Sequence, residues 1–167
     1  MTRPAARAGA GAVAVDDALE FLHFGFREIV REPDRILARR RMGRVHHRIL
    51  FMVRRNLDCT ISDVLAILGV TKQALHRPLG ELVRAGLVAA EPDAVDRRAR
   101  RLRLTAKGRA LEDQITGLQR QAVERAFAEV GDEGARAWVA VMTCLGGGKT
   151  AVGLRAAARR RRSRRAR

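Results

Sequence analysis

Residues 60–88 carry a run of helix-capping and helix-stopping residues that few folds accommodate. Thr60 and Asp63 have the spacing of a capping box, in which each side chain bonds the other residue's backbone N–H. Gly69 lies where a turn needs a residue with positive φ, and Thr71 is placed to cap a second helix. Gly86 lies where that helix should stop. The pattern predicts two short helices joined by a tight turn.

The second of these helices has one apolar face and one polar face. Leu75, Leu79 and Leu82 recur at helical spacing and predict the buried face. The opposite face carries long polar side chains near the helix start, where a recognition helix meets base edges in the major groove. The predicted DNA contacts on this helix are Thr71, Lys72, Gln73, His76 and Arg77. Gln73 and His76 are expected to carry base preference.

A predicted β-hairpin with a basic tip follows directly. Its first strand begins at Leu87 and is broken near Pro92, while leucines and arginines alternate over residues 101–104, the period of a half-buried strand. Arginines in such a tip suit phosphates or a narrow minor groove. Asp96 is expected to hold and aim a neighbouring arginine. The predicted contacts from the tip are Asp96, Arg97, Arg98 and Arg100.

The chain resembles the MarR family (multiple-antibiotic-resistance regulators) of bacterial winged-helix transcription factors. TKQALHRPLGELVRAGLV at 71–88 and DRRARRLRLTAKG at 96–108 carry the resemblance, supported by MGRVHHRIL at 42–50. The match spans roughly residues 15–145. The chain departs from the family pattern at two positions. Leu65 stands where a small residue is usual, and Pro78 lies inside the predicted recognition helix, where it removes the bond to the Ala74 carbonyl and predicts a kink.

Apolar helices flank this central block on both sides. An apolar stripe over residues 16–31 predicts a helix that Pro33 ends or bends. A second stripe runs from Leu111 to Val130, Gly131 breaks it, and Asp132 can cap a last helix. The resemblance implies that these helices interlock with a second subunit, so that a homodimer presents two recognition helices to one palindromic site. The alternative is that they pack within one monomer.

These elements define a mainly α-helical fold with a small β-hairpin wing, a winged helix-turn-helix with N- and C-terminal dimerisation helices. The predicted domains are a disordered segment (1–15), an N-terminal dimerisation helix region (16–40), a DNA-binding lobe (41–105), C-terminal dimerisation helices (106–146) and a flexible basic tail (147–167). The resemblance also implies that a small aromatic or phenolic effector binds between the lobe and the dimer helices.

The net charge of +16 favours a polyanionic partner such as double-stranded DNA. Half of it comes from eight arginines at 155–167, a block expected to be disordered and to add non-specific DNA affinity through counterion release. The alternative for the tail is a solvated end without function. The alternative for the whole protein is a nucleoid-type protein that coats DNA without sequence preference. No run approaches the length of a membrane span, and the sequence predicts a soluble cytoplasmic protein.

Other motifs predict less. GGGKT at 146–150 has threonine where a phosphate-binding loop needs its first glycine, so it predicts a flexible helix exit. His46 and His47 are adjacent, whereas metal ligands on a helix are usually four residues apart; one is expected to pack and the other to face solvent or DNA. Cys59 is expected to be a small buried residue and not a redox sensor. We expect no catalysis, no cofactor and no metal site.

Overall fold

The computed structural model describes residues 14–93 and 99–148. This part of the chain forms five helices and three strands, with the wing between α4 and α5. The elements in chain order are α1 (Val15–Ala38), α2 (Arg44–Arg55), β1 (Cys59–Thr60), α3 (Ile61–Leu68), α4 (Lys72–Arg84), β2 (Val88–Pro92), β3 (Arg100–Leu104) and α5 (Ala106–Leu145). The mainly helical fold with a β-hairpin wing is confirmed.

The caps of α3 and α4 form as the sequence predicts. The Asp63 N–H donates to Thr60 Oγ1 at 3.2 Å, and the Thr60 N–H donates to Asp63 Oδ2 at 2.9 Å. Gly69 ends α3 in the left-handed conformation, with φ of 65°. Thr71 then caps α4 by accepting the Ala74 N–H at 3.2 Å. Gly86 also has φ of 65°, just beyond the end of α4. The tight turn between α3 and α4 thus follows from local chemistry.

Neither interior proline ends its helix. Helix α1 does not end at Pro33, because it continues to Ala38 and buries both Pro33 and Leu37. Leu37 belongs to the hydrophobic core, and its burial stabilises this last part of the helix despite the missing backbone bond. A bend of α1 at Pro33 stays a prediction. Helix α4 likewise continues past Pro78 to Arg84. A kink at Pro78 stays a prediction.

The sheet has the order β1-β3-β2 and is antiparallel throughout. In the hairpin, Val88 faces Leu104 and Pro92 faces Arg100. Strand β1 was not predicted, and it adds to the other edge of β3 by pairing Cys59 with Leu102. It fastens the start of α3 to the base of the wing, so the helix-turn-helix and the wing share one sheet.

The hydrophobic core lies where α2, the two central helices, the sheet and the start of α5 meet. Its fully buried side chains include Ile49, Leu50, Leu75, Leu82, Leu102 and Ile115. The predicted face of α4 is confirmed, because Leu75, Leu79 and Leu82 are all buried. The core therefore holds the exposed face of α4 in a fixed position relative to the wing.

The outer parts of the two long helices lie outside this core. The buried residues of α1 are Val30, Pro33 and Leu37, while its first half exposes large apolar side chains. The buried residues of α5 lie between Gly108 and Ile115. Its backbone leaves the helical conformation at Gly131, which confirms the predicted break.

Candidate nucleic-acid interface

One exposed face of α4 brings together the side chains predicted to contact DNA. A shallow surface depression is lined by Lys72, Gln73, His76 and Arg77, all of them exposed. Thr71 stands at the start of the same helix, where its hydroxyl oxygen caps the backbone. The first two turns of α4 therefore present several hydrogen-bond donors on one surface.

A groove separates this face from the wing. Its volume is about 390 Å³, and cationic or titratable side chains from α4 (Lys72, His76 and Arg84) and from β3 (Arg100) line it. Arg100 also donates from Nη1 to the Ala90 carbonyl at 3.2 Å, which ties it to β2. The groove thus joins Arg100 to the α4 surface. The other predicted wing contacts, Asp96, Arg97 and Arg98, lie outside the described residues.

The outward face of β3 is less cationic than its sequence indicated. Arg101 donates from Nε to the buried carboxylate of Asp93 at 2.5 Å, and this bond raises the pKa of the Arg101 guanidinium. Arg103 forms an ion pair with Asp58 at 2.7 Å. Each of the two arginines is therefore matched by a carboxylate, so this face carries less net positive charge than two unpaired arginines would give it. These pairs brace the base of the wing.

Glu81 links α4 to α2 and was not predicted from the sequence. Its Oε1 accepts from Arg77 Nε at 2.9 Å, and its Oε2 lies 2.8 Å from His46 Nε2. The bonds from Arg77 and then His46 hold the pKa of the Glu81 carboxyl below its ordinary value. His46 is buried, so one of the two adjacent histidines packs as predicted. The only sequence signal was the four-residue spacing of Arg77 and Glu81.

A second cavity of about 440 Å³ lies between α1, α2 and α5. Phe26 of α1 and Phe51 of α2 supply aromatic walls, and Gln119 of α5 closes one side. Arg44 lies over the Phe26 ring at 5.4 Å and donates to Asp34 from both Nε and Nη2, at 2.9 and 2.7 Å. The cavity combines apolar walls with charged edges, where Arg48 and the paired Arg44 and Asp34 lie, and such a lining can hold a small aromatic molecule.

His47 connects this cavity to α5. Its Nε2 lies 3.3 Å from Thr116 Oγ1, and the Thr116 hydroxyl donates to the buried Glu112 carboxylate at 2.6 Å. Because that hydroxyl gives its proton to Glu112, it accepts from His47 Nε2–H. Burial lowers the pKa of His47, so the imidazole is kept neutral. The expectation that the second histidine faces solvent or DNA is wrong, because His47 is half-buried against Thr116.

The remaining observations concern Cys59, metal ions and membrane spans. Cys59 is fully buried, as expected for a small core residue. Within residues 14–93 and 99–148 there is no cluster of His, Cys, Asp or Glu side chains arranged to hold a metal ion. In the same ranges, every helix is too short or too polar to span a bilayer.

The sheet-braced α4 and its adjoining wing define a winged helix-turn-helix DNA-binding protein. Comparison with known proteins shows which family of this class the chain belongs to. Residues 42–99 match the model of the MarR family. The HTH-type transcriptional regulator PetP of Rhodobacter capsulatus is 36% identical over 115 residues, which are 69% of this chain and 69% of PetP. The chain therefore belongs to the MarR family of transcriptional regulators.

Solved structures share the fold at low sequence identity. A MarR-family regulator from Rhodococcus sp. RHA1 matches with a TM-score of 0.62 and 18% identity, covering 83% of this chain and 99% of that one. BpsR of Bordetella bronchiseptica matches with a TM-score of 0.60 and 18% identity, covering 78% and 98%. The BpsR structure concerns regulation of its DNA binding by 6-hydroxynicotinic acid.

Proposed function

We propose that this regulator recognises a specific DNA sequence through the exposed face of α4 and the wing. One observation carries the proposal: Lys72, Gln73, His76 and Arg77 line one surface depression at the start of a helix whose other face is anchored in the core. Gln73 and His76 are the candidates for base contact, and Lys72 and Arg77 for phosphate or guanine. Asp96, Arg97, Arg98 and Arg100 are proposed to act from the wing.

We further propose that the protein binds a palindromic operator as a homodimer. The first half of α1 leaves large apolar side chains exposed, with Phe21 at 70% and Leu19 at 60%. The last part of α5 does the same with Trp138 and Leu145. Such surfaces on long helices are unusual for a protein that functions as a monomer. A two-fold dimer through them would present two α4 helices to sites about one turn of DNA apart.

The dimer is tested by charge substitution on α1. Leu19→Asp should lower the molar mass measured by light scattering from twice the chain mass towards one chain mass. Leu57→Asp is the matched control, because Leu57 is also exposed, at 74%, but lies on the lobe between α2 and β1. A wild-type protein that is monomeric at micromolar concentration would contradict the proposed dimer.

The cavity between α1, α2 and α5 is the proposed effector site. It touches both the lobe and the long helices, so a bound molecule could bias their relative position. We propose a small aromatic or phenolic effector, which the two phenylalanine walls and the Arg48 guanidinium favour. The inference is also supported by BpsR, whose DNA binding is regulated by 6-hydroxynicotinic acid. A binding titration with that acid, repeated on Phe51→Ala, tests the site.

The main experiment is selection of bound duplexes from a random DNA pool, followed by footprinting upstream of the protein's own gene. A regulator should enrich an inverted repeat and protect it against competitor DNA. Substituting Gln73 or His76 by alanine should change the enriched sequence. A nucleoid-type coating protein would enrich no motif, and that outcome would replace the proposed function.

The remaining features agree with this role. A bacterial DNA-binding regulator meets its target in the cytoplasm, which is its proposed location. We assign no catalysis. The arginine-rich tail at 155–167, which lies outside the described residues, is proposed to add affinity for all DNA.

A further inference from the structure

Glu81 is a carboxylate on the helix proposed to read DNA, where negative charge repels phosphate. Its side chain is 29% exposed and lies between two partners of very different exposure, Arg77 at 87% and His46 at 10%. Glu81 therefore connects a surface arginine to the interior of the lobe. Its position calls for a role that outweighs the repulsion.

His46 anchors this carboxylate from the neighbouring helix. The Gly43 N–H donates to His46 Nδ1 at 3.0 Å, so Nδ1 carries a lone pair. The ring proton of neutral imidazole then lies on Nε2, which donates to Glu81 Oε2. Since His46 is buried at the start of α2, this bond holds the Glu81 carboxylate in a fixed orientation relative to the core.

The other carboxylate oxygen holds Arg77. Its bond from Arg77 Nε, at 2.9 Å, occupies one edge of the guanidinium. Within residues 14–93 and 99–148, the two terminal nitrogens of Arg77 have no hydrogen-bond acceptor. A guanidinium held in this way keeps paired donors for a phosphate or for the O6 and N7 atoms of guanine. The bond to Glu81 therefore restrains the Arg77 guanidinium before DNA binds.

We propose that Glu81 is a positioning residue that presents Arg77 to DNA, with His46 as its anchor. The proposal rests on the proposed function, since it needs α4 to contact a specific sequence. It predicts that Glu81 favours the correct sequence even though its charge disfavours DNA in general. If Glu81 only repelled DNA, Glu81→Gln would raise the affinity for the correct sequence instead of lowering it, so the two roles are distinguishable.

The test compares two duplexes: one that the wild-type protein selects from a random pool, and a scrambled duplex of the same composition. Glu81→Gln keeps the side-chain shape and removes the charge. The ratio of affinities for selected and scrambled DNA should fall about tenfold, the loss expected when one paired base contact is weakened. Affinity for scrambled DNA should stay constant or rise. Glu91→Gln, on the exposed side of β2, makes the same charge change and should leave the ratio unchanged.

A double-mutant cycle shows whether the effect passes through Arg77. Arg77→Ala alone should lower the ratio, and adding Glu81→Gln to it should change the ratio no further. The proposal is overturned if Glu81→Gln tightens binding to both duplexes and leaves the ratio of affinities unchanged. It is also overturned if Glu81→Gln lowers the ratio equally without Arg77, or loses the helical circular-dichroism signal, because the carboxylate would then be structural. A wild-type protein that fails to distinguish the duplexes would overturn the proposed function itself, and this inference with it.

Discussion

Gly108, in the first turn of α5, lies too close to the Leu87 backbone for a larger residue to fit. It is buried where the first turn of α5 crosses the end of the α4–β2 connection. A Cβ atom built on Gly108 would lie 2.9 Å from the Leu87 carbonyl carbon and closer still to its oxygen. Backbone atoms cannot rotate away as a side chain does, so Gly108→Ala must move the start of α5 away from the Leu87 backbone.

The cost follows from the bonds at this crossing. The Thr105 N–H donates to the Leu87 carbonyl at 3.1 Å, and the Thr105 hydroxyl donates to the Gly86 carbonyl at 2.7 Å. Loss of both would cost about 2 kcal/mol at about 1 kcal/mol each, and overpacking adds about 1–3 kcal/mol. The better helix propensity of alanine returns up to about 1 kcal/mol. The free energy of unfolding should therefore fall by about 2–5 kcal/mol for Gly108→Ala.

Urea unfolding followed by circular dichroism measures this change, at one protein concentration because association would shift the midpoint. Gly117→Ala is the matched control, since a Cβ there meets nothing within 4 Å in the same helix. It should stabilise the protein by up to about 1 kcal/mol. Equal or greater stability of Gly108→Ala would refute the steric reasoning.

Three further predictions concern pH, the wing and the tail. Burial lowers the pKa of His47, so as the pH falls through 6.5 the unfolded chain takes up a proton at His47 before the folded protein does. The free energy of unfolding should therefore decrease as the pH is lowered below 6.5, and His47→Gln should make that decrease smaller. Identical pH profiles for the two proteins would contradict this reasoning. Arg98→Ala and Asp96→Ala should each weaken operator binding, the former by about 1–3 kcal/mol in a binding titration, whereas tighter binding by Asp96→Ala would rule out the aiming role. Deleting residues 155–167 should weaken binding to operator and scrambled DNA alike and flatten the salt dependence, so an unchanged salt slope would exclude the tail as a DNA arm.

Local chemistry made the centre of this fold predictable from its sequence. The caps at Thr60 and Thr71 and the turn at Gly69 act within four residues, so their spacing is enough to place α3 and α4. The alternation in β3 likewise predicts which leucines are buried.

What the sequence did not reveal depends on residues brought together over long distances. Glu81 meets His46 across 35 positions, and Arg103 meets Asp58 from another element. No periodic pattern encodes such pairs. Pro33 shows the related limit of local rules: α1 continues past it to Ala38, because burial of Leu37 in the core offsets the lost backbone hydrogen bond.

The length of α5 has a mechanical consequence. Its first turn is bonded to the end of α4 at residues 85–87, while its far end carries exposed apolar side chains. From Ala106 to Val130 the helix spans about 37 Å, so a tilt of about 5° displaces one end by about 3 Å relative to the other. In the proposed dimer that displacement would be carried to α4 as a rigid-body motion. Two α4 helices spaced to fit one turn of DNA would then no longer match the spacing of their two sites. An effector could therefore release the operator without bending any helix.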